Sequence, residues 1–163
     1  MFRATAAAEH LPPSFPERAA WGTAGKLRAW QEEALNAYFD PSVDPASRRD
    51  FLVSATPGAG KTTFALRLAS ELLQRRIVDR ITVVAPTEHL KVQWADAAHR
   101  AGIRLDPYFT SKHGRESRQF HGVVVTYAGV AVRPSLHREL TNSARTLVIL
   151  DEVHERNLTT DLS

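Results

Sequence analysis

Four stretches of the chain are apolar on consecutive rather than alternating positions: 50–55 (DFLVSA), 80–86 (RITVVAP), 122–127 (GVVVTY) and 146–152 (TLVILDE). Unbroken runs rich in Val, Ile and Leu are what a strand covered on both faces requires, so each predicts a strand of a parallel sheet. Between them the apolar spacing lengthens. Residues 63–76 place Phe64, Leu66, Leu68, Leu72 and Leu73 at helical intervals, and 88–100 predicts a second helix, stopped by Gly102. A further helix is predicted over 27–39, followed by a proline-punctuated linker, 40–50, into the first strand. The segment 106–122 is polar and basic with Gly114 inside it, and is expected to be a connection with at most one weak strand. This alternation predicts an α/β fold, a parallel β-sheet flanked by helices.

Each predicted strand ends in polar residues. In open parallel sheets ligands bind beyond the carboxyl ends of the strands, so TPGAGKT, PTEH, TY and DEVH are expected along one edge. The first of these is the most informative. ATPGAGKT (55–62) matches the phosphate-loop pattern at its decisive end, Gly60-Lys61-Thr62, with Ala55 where the common pattern has glycine. A strand that stops, turns tightly and enters a helix brings backbone N–H groups from Gly58 to Thr62 onto a phosphate, helped by the positive helix end. Gly58 and Gly60 permit the close approach. Lys61 is then expected to reach the β- and γ-phosphates, and the Thr62 hydroxyl to ligate Mg²⁺. These residues predict ATP or GTP binding.

TLVILDEVH (146–154) supplies the matching acidic end: Asp151 is expected to hold Mg²⁺, and Glu152 to orient and deprotonate the attacking water. His154, three residues past Asp151, is a candidate for passing nucleotide state to a neighbouring element. The other six histidines are scattered without HxH or HxxxH spacing, so no zinc site is expected.

Composition narrows the reading without redirecting it. At 163 residues the chain is the size of one domain, and no apolar run approaches the roughly 20 residues that span a bilayer, so no membrane partner is expected. The first 26 residues lack the apolar core of a secretory signal and are expected to be a loose leader, with the domain proper over 27–163. The absence of cysteine removes disulfides and thiol chemistry. A net charge of +3 is too mild to indicate nucleic-acid binding, although it permits a phosphate-rich partner.

Together these residues resemble the first RecA-like domain of superfamily 2 helicases and translocases, of the DEAD/DEAH-like kind, over about residues 27–154. ATPGAGKTT is similar to motif I, which implies nucleotide contacts by Thr56, Pro57, Gly58, Ala59, Gly60, Lys61, Thr62 and Thr63. DEVH is similar to motif II. LRAWQEEAL resembles the glutamine motif of the DNA-acting branch, which implies that Gln31, with Arg28, reads the adenine edge and so favours ATP. APTEHLKVQW (85–94) resembles motif Ia, implying strand contacts by Pro86 and Thr87, and VVVTYAGVA (123–131) resembles a second strand-contacting motif, carried by Thr126 and Tyr127. Leu90 and Trp94 lie four apart on a predicted helix and read as core rather than as base-stacking residues.

The likeness is greatest to DNA translocases of the restriction-subunit and excision-repair type, which implies a cytoplasmic or nucleoid-associated protein with DNA as partner. Glu155-Arg156, by contrast, is similar to the sequence that follows motif II in DEAH RNA helicases, so an RNA helicase is an alternative; a non-catalytic nucleotide-binding module is another. Motif III and a second RecA-like domain do not follow DEVH. In the resembled fold the next strand inserts beside the motif II strand, so the chain is expected to be incomplete at its carboxyl end, weakly active or inactive, and unstable alone.

Overall fold

A computed structural model of the protein describes residues 27–56, 58–110 and 118–152. The expected leader, Pro57, Gly114, His154 and Glu155-Arg156 lie outside these residues. The described residues divide into two compact units, one comprising those up to Arg76 with Ala97–Ile103, the other Ile77–Asp96 with those from Arg104 onward.

In the first unit, helix α1 (Ala29–Tyr38) and helix α2 (Lys61–Gln74) are separated by a short 3-10 turn at Pro45–Arg48. Arg28 is extended before α1, and its backbone N–H donates to Gln31 Oε1 at 2.8 Å, so the third helical residue closes the helix start. Helix α2 buries Phe64, Leu66, Leu68 and Leu72, as its apolar spacing predicts, while Leu73 of the same predicted set is half-buried. It also buries Arg67, Ser70 and Glu71, which that spacing does not predict.

The strand expected over 50–55 is corrected by the structure: residues 51–56 belong to no ladder. A strand exists through the backbone bonds of a neighbour, and among the described residues none pairs with this segment. Leu52 is 80% exposed. The Phe51 ring instead meets Tyr38 edge-on at 5.3 Å and Phe64 at 6.4 Å, and Trp30 joins Phe64 at 5.6 Å.

The second unit holds a four-stranded parallel sheet of β1 (Arg80–Ala85), β2 (Leu105–Asp106), β3 (Gly122–Thr126) and β4 (Thr146–Leu150), in the order β2-β3-β1-β4. Ile81–Ala85 and all of β3 are buried, as unbroken apolar runs require. Ile81 pairs with Gly122, and a Cβ on Gly122 would run into the Ile81 carbonyl, so only glycine lets these two strands approach. Strand β2 begins at Leu105, ahead of the connection expected over 106–122, and shares only Asp106 with it. Strand β4 differs from expectation: among the described residues it pairs with β1 alone, and Val148 and Leu150 are exposed.

Helix α3 (Glu88–Arg100) agrees with its predicted span. Helices α4 (Tyr127–Val132) and α5 (Pro134–Asn142) were not foreshadowed by the apolar pattern. They end β3 one residue early, because the Thr126 hydroxyl caps α4 by accepting the Gly129 N–H at 3.0 Å. Val130 and Leu140 from these helices pack on a cluster of Val84, Phe109, Val123 and Val125. No described helix is long and apolar enough to cross a membrane.

Candidate functional site

In the first unit the glycine-rich loop turns directly into α2. Ala59 N–H donates to Thr56 O at 3.1 Å, and Gly58 and Gly60 take φ of +74° and +92°, a region that favours glycine. The first helical bond runs from Phe64 N to Gly60 O, which leaves the N–H groups of Lys61, Thr62 and Thr63 without a partner inside the helix.

The carbonyls of the loop are occupied instead by α1 and its cap. Arg28 Nη1 donates to Gly58 O at 2.9 Å, Trp30 Nε1 to Ala59 O at 3.0 Å, and Gln31 Nε2 to Gly60 O at 2.8 Å. Three successive oxygens that would repel a phosphate are thus bound to side-chain donors, while the helix start keeps its free N–H groups. A Cβ at Gly60 would stand 2.6 Å from Gln31 Nε2, so the loop and the glutamine are fitted to each other. Gln31 is buried with both ends of its amide engaged, its oxygen by Arg28 N–H. One N–H and one lone pair remain on that amide for a ligand. Lys61 is exposed, and its ammonium donates to Ala55 O at 2.8 Å, leaving two further N–H groups. Thr62 is half-buried; Thr56 and Thr63 are exposed.

Trp30 is the residue that sequence reasoning missed here. Its one signal was position, directly before Gln31 in LRAWQEEAL.

In the second unit, the carboxyl ends of three parallel strands are in register. Ala85 pairs with Thr126 and Val84 with Leu150, so Pro86, Tyr127 and Asp151 follow side by side on one sheet edge, as the sequence predicts for PTEH, TY and DEVH. Thr87 is exposed, and its hydroxyl accepts the Leu90 N–H at 3.3 Å at the start of α3. Thr126 is buried with its hydroxyl oxygen used as the α4 cap.

Asp151 is half-buried. Its N–H donates to Val84 O at 3.0 Å, its carbonyl accepts the Tyr127 hydroxyl at 2.8 Å, and its Oδ2 accepts the Trp94 indole N–H at 2.8 Å. Burial, followed by the negative charges of Asp151 and Glu152, raises the Tyr127 pKa, which keeps its hydroxyl protonated and donating. Trp94 is buried as the sequence reading expected, but its polar edge has a partner that the helical spacing did not reveal. Glu152 is exposed with φ of +56°, a left-handed conformation that costs a non-glycine residue of order 1–3 kcal/mol.

A family model described as "type III restriction enzyme, res subunit" matches residues 24–160. Among curated proteins, an uncharacterised protein of Mycobacterium tuberculosis (strain H37Rv) is 54% identical over 128 residues, covering 78% of this chain and 20% of its own length. One from Mycobacterium leprae is 53% identical over 128 residues, covering 78% of this chain and 21% of its own length. The chain therefore spans about a fifth of the length of these relatives. No solved structure matches.

Proposed function

Because the chain belongs to the type III restriction enzyme res-subunit family, a RecA-like helicase N-terminal domain of superfamily 2, we propose that it binds MgATP and couples ATP hydrolysis to movement along DNA. The observation that carries this reading is the start of α2, with its N–H groups left open and the preceding carbonyls drawn back by Arg28, Trp30 and Gln31.

In this reading the backbone from Gly58 to Thr62 cradles the phosphates, and Lys61 leaves the Ala55 carbonyl to neutralise the β- and γ-phosphate charge. Gln31 and Arg28 read the adenine edge. The Thr62 hydroxyl and the Asp151 carboxylate are the oxygen groups that would ligate Mg²⁺, each a hard donor of the kind this cation takes. Mg²⁺ would supply neutralisation of the charge that builds on the phosphate oxygens. Glu152, exposed beside Asp151, orients the attacking water and takes its proton. Pro86, Thr87, Thr126 and Tyr127 contact the DNA backbone; the Thr126 hydroxyl spends its oxygen on the α4 cap and keeps its proton to donate. His154 relays nucleotide state, and a second RecA-like domain contributes arginines to the γ-phosphate. The setting is the cytoplasm or the nucleoid.

The test is single-turnover hydrolysis of MgATP with the protein in excess, alone and with single-stranded DNA or RNA. DNA is expected to accelerate the reaction more than RNA does. Glu152→Gln should lower the rate by about 10²–10⁴, the usual weight of a general base, while ATP is still bound. An unchanged rate in that variant would overturn the catalytic reading and favour a nucleotide-binding module, and preferential acceleration by RNA would favour an RNA helicase.

A further inference from the structure

Three bonds hold Asp151, and two of them come from the elements that the proposed function gives to DNA. Trp94 stands on α3, the helix that opens directly behind Pro86 and Thr87, and Tyr127 is the first residue of α4, directly behind Thr126. Each of these segments sends one side-chain donor to the same residue: the Trp94 indole to Asp151 Oδ2, and the Tyr127 hydroxyl to Asp151 O, both at 2.8 Å. The bond from Asp151 N–H to Val84 O fixes the backbone on the other side.

The two donors control different atoms. An indole N–H is a donor only, so Trp94 binds neither a metal nor its water; it takes one carboxylate oxygen and fixes the plane of the other. Among the described residues no hydrogen bond reaches Asp151 Oδ1. Tyr127 grips the carbonyl of the peptide that joins Asp151 to Glu152. The orientation of that peptide plane, together with the left-handed φ of +56° at Glu152, sets where the Glu152 side chain leaves the backbone.

We propose that Trp94 and Tyr127 are positioning residues that link DNA occupancy to hydrolysis, Trp94 by aiming the free oxygen of Asp151 at Mg²⁺ and Tyr127 by setting the Asp151–Glu152 peptide that aims Glu152 at water. Trp94 is 4% exposed and acts from inside the unit, whereas Tyr127 is 38% exposed and stands where a strand would touch it. A DNA backbone that moves the start of α4 moves the Tyr127 hydroxyl, and with it the peptide that leads into Glu152. The inference rests on the proposed function, in that it needs Asp151 and Glu152 to serve MgATP.

The experiment compares the full chain with its Tyr127→Phe and Trp94→Phe variants, reading single-turnover hydrolysis against Mg²⁺ concentration with and without single-stranded DNA, and ATP and DNA affinity in parallel. Tyr127→Phe removes one hydroxyl from a partly exposed ring. It is expected to keep ATP affinity within about twofold, to lower the DNA-free rate as Glu152 loses its aim, and to lose in addition, at saturating DNA, about tenfold or more of the DNA acceleration, the range of an ordinary coupling between sites. Trp94→Phe is expected to raise the half-saturating Mg²⁺ concentration by about 10–100-fold, as does loss of other partners that orient a metal ligand. If Trp94→Phe fails to fold, Tyr127→Phe alone decides. A wild-type chain accelerated by DNA, with Tyr127→Phe accelerated equally, overturns this inference and leaves the proposed function standing. A wild-type chain that neither hydrolyses ATP nor responds to DNA overturns both.

Discussion

At the scale of single residues, the loop before α2 depends on glycine for two separable reasons. Gly58 and Gly60 both have positive φ, where a Cβ costs about 1–2 kcal/mol. Only Gly60 also faces a neighbour, because its Cβ would meet Gln31 Nε2 at 2.6 Å, whereas nothing lies within 4 Å of a Cβ on Gly58. Gly60→Ala must therefore push Gln31 off the loop as well as strain the backbone. It is expected to weaken MgATP binding about tenfold more than Gly58→Ala does, since the lost Gln31 bond to the Gly60 carbonyl is worth about 1 kcal/mol and its buried amide loses a partner. Equal affinities in a nucleotide titration of the two variants would show that the Gln31 contact does not shape the loop. The left-handed Glu152 is the second strained position, and there the chain carries a carboxylate rather than glycine. The Tyr127 bond to the preceding carbonyl gives that conformation a local support.

Among the elements, α2 shows what apolar spacing does and does not reveal. Of its predicted face, Phe64, Leu66, Leu68 and Leu72 are buried and Leu73 is half-buried, but Arg67 and Glu71 are buried too, with Arg75 bridging to Glu71 at 3.4 Å and lying 4.3 Å over the Phe39 ring. Burial raises the Glu71 pKa, opposed by the nearby charges of Arg75 and Arg67. Because the folded chain then holds this proton more tightly than the unfolded chain, the contribution of Glu71 to stability is largest in acid. It is lost as pH rises from the ordinary carboxylate range through the raised value. Glu71→Gln is expected to flatten that decline, measured as the urea midpoint at a series of pH values from mildly acidic to neutral; an identical slope would mean that Glu71 does not titrate differently on folding. The strands teach a related lesson. The runs at 80–86 and 122–127 became β1 and β3 because each has neighbours on both sides, while 50–55, equally suited by composition, has no ladder among the described residues. Composition selects segments able to be strands, and pairing decides which of them are. Helices α4 and α5 escaped notice because α4 has six residues and α5 offers little apolar repeat beyond Leu136 and Leu140.

For the molecule as a whole, the fold class was legible, and so was the position of the glycine-rich loop in one unit and of the strand-end carboxylates in the other, because both are written in short contiguous motifs. Their supports were not. The Trp30 bond to Ala59 spans 29 positions and the Trp94 bond to Asp151 spans 57, and no local periodicity records a contact at such separations. In both cases a tryptophan within one recognised motif holds the backbone or the carboxylate of another by its polar edge. The family match over residues 24–160 agrees with the α/β reading, and the relatives are about five times as long as the matched segment. Binding of MgATP by the loop before α2 is tested by equilibrium titration of wild-type chain and Lys61→Ala with MgATP. Saturable binding by the wild type and a loss of about tenfold or more in the variant are expected, because a charge-assisted bond contributes about 1.5–3 kcal/mol. Absence of binding by the wild type, or equal affinity in the two proteins, would contradict it.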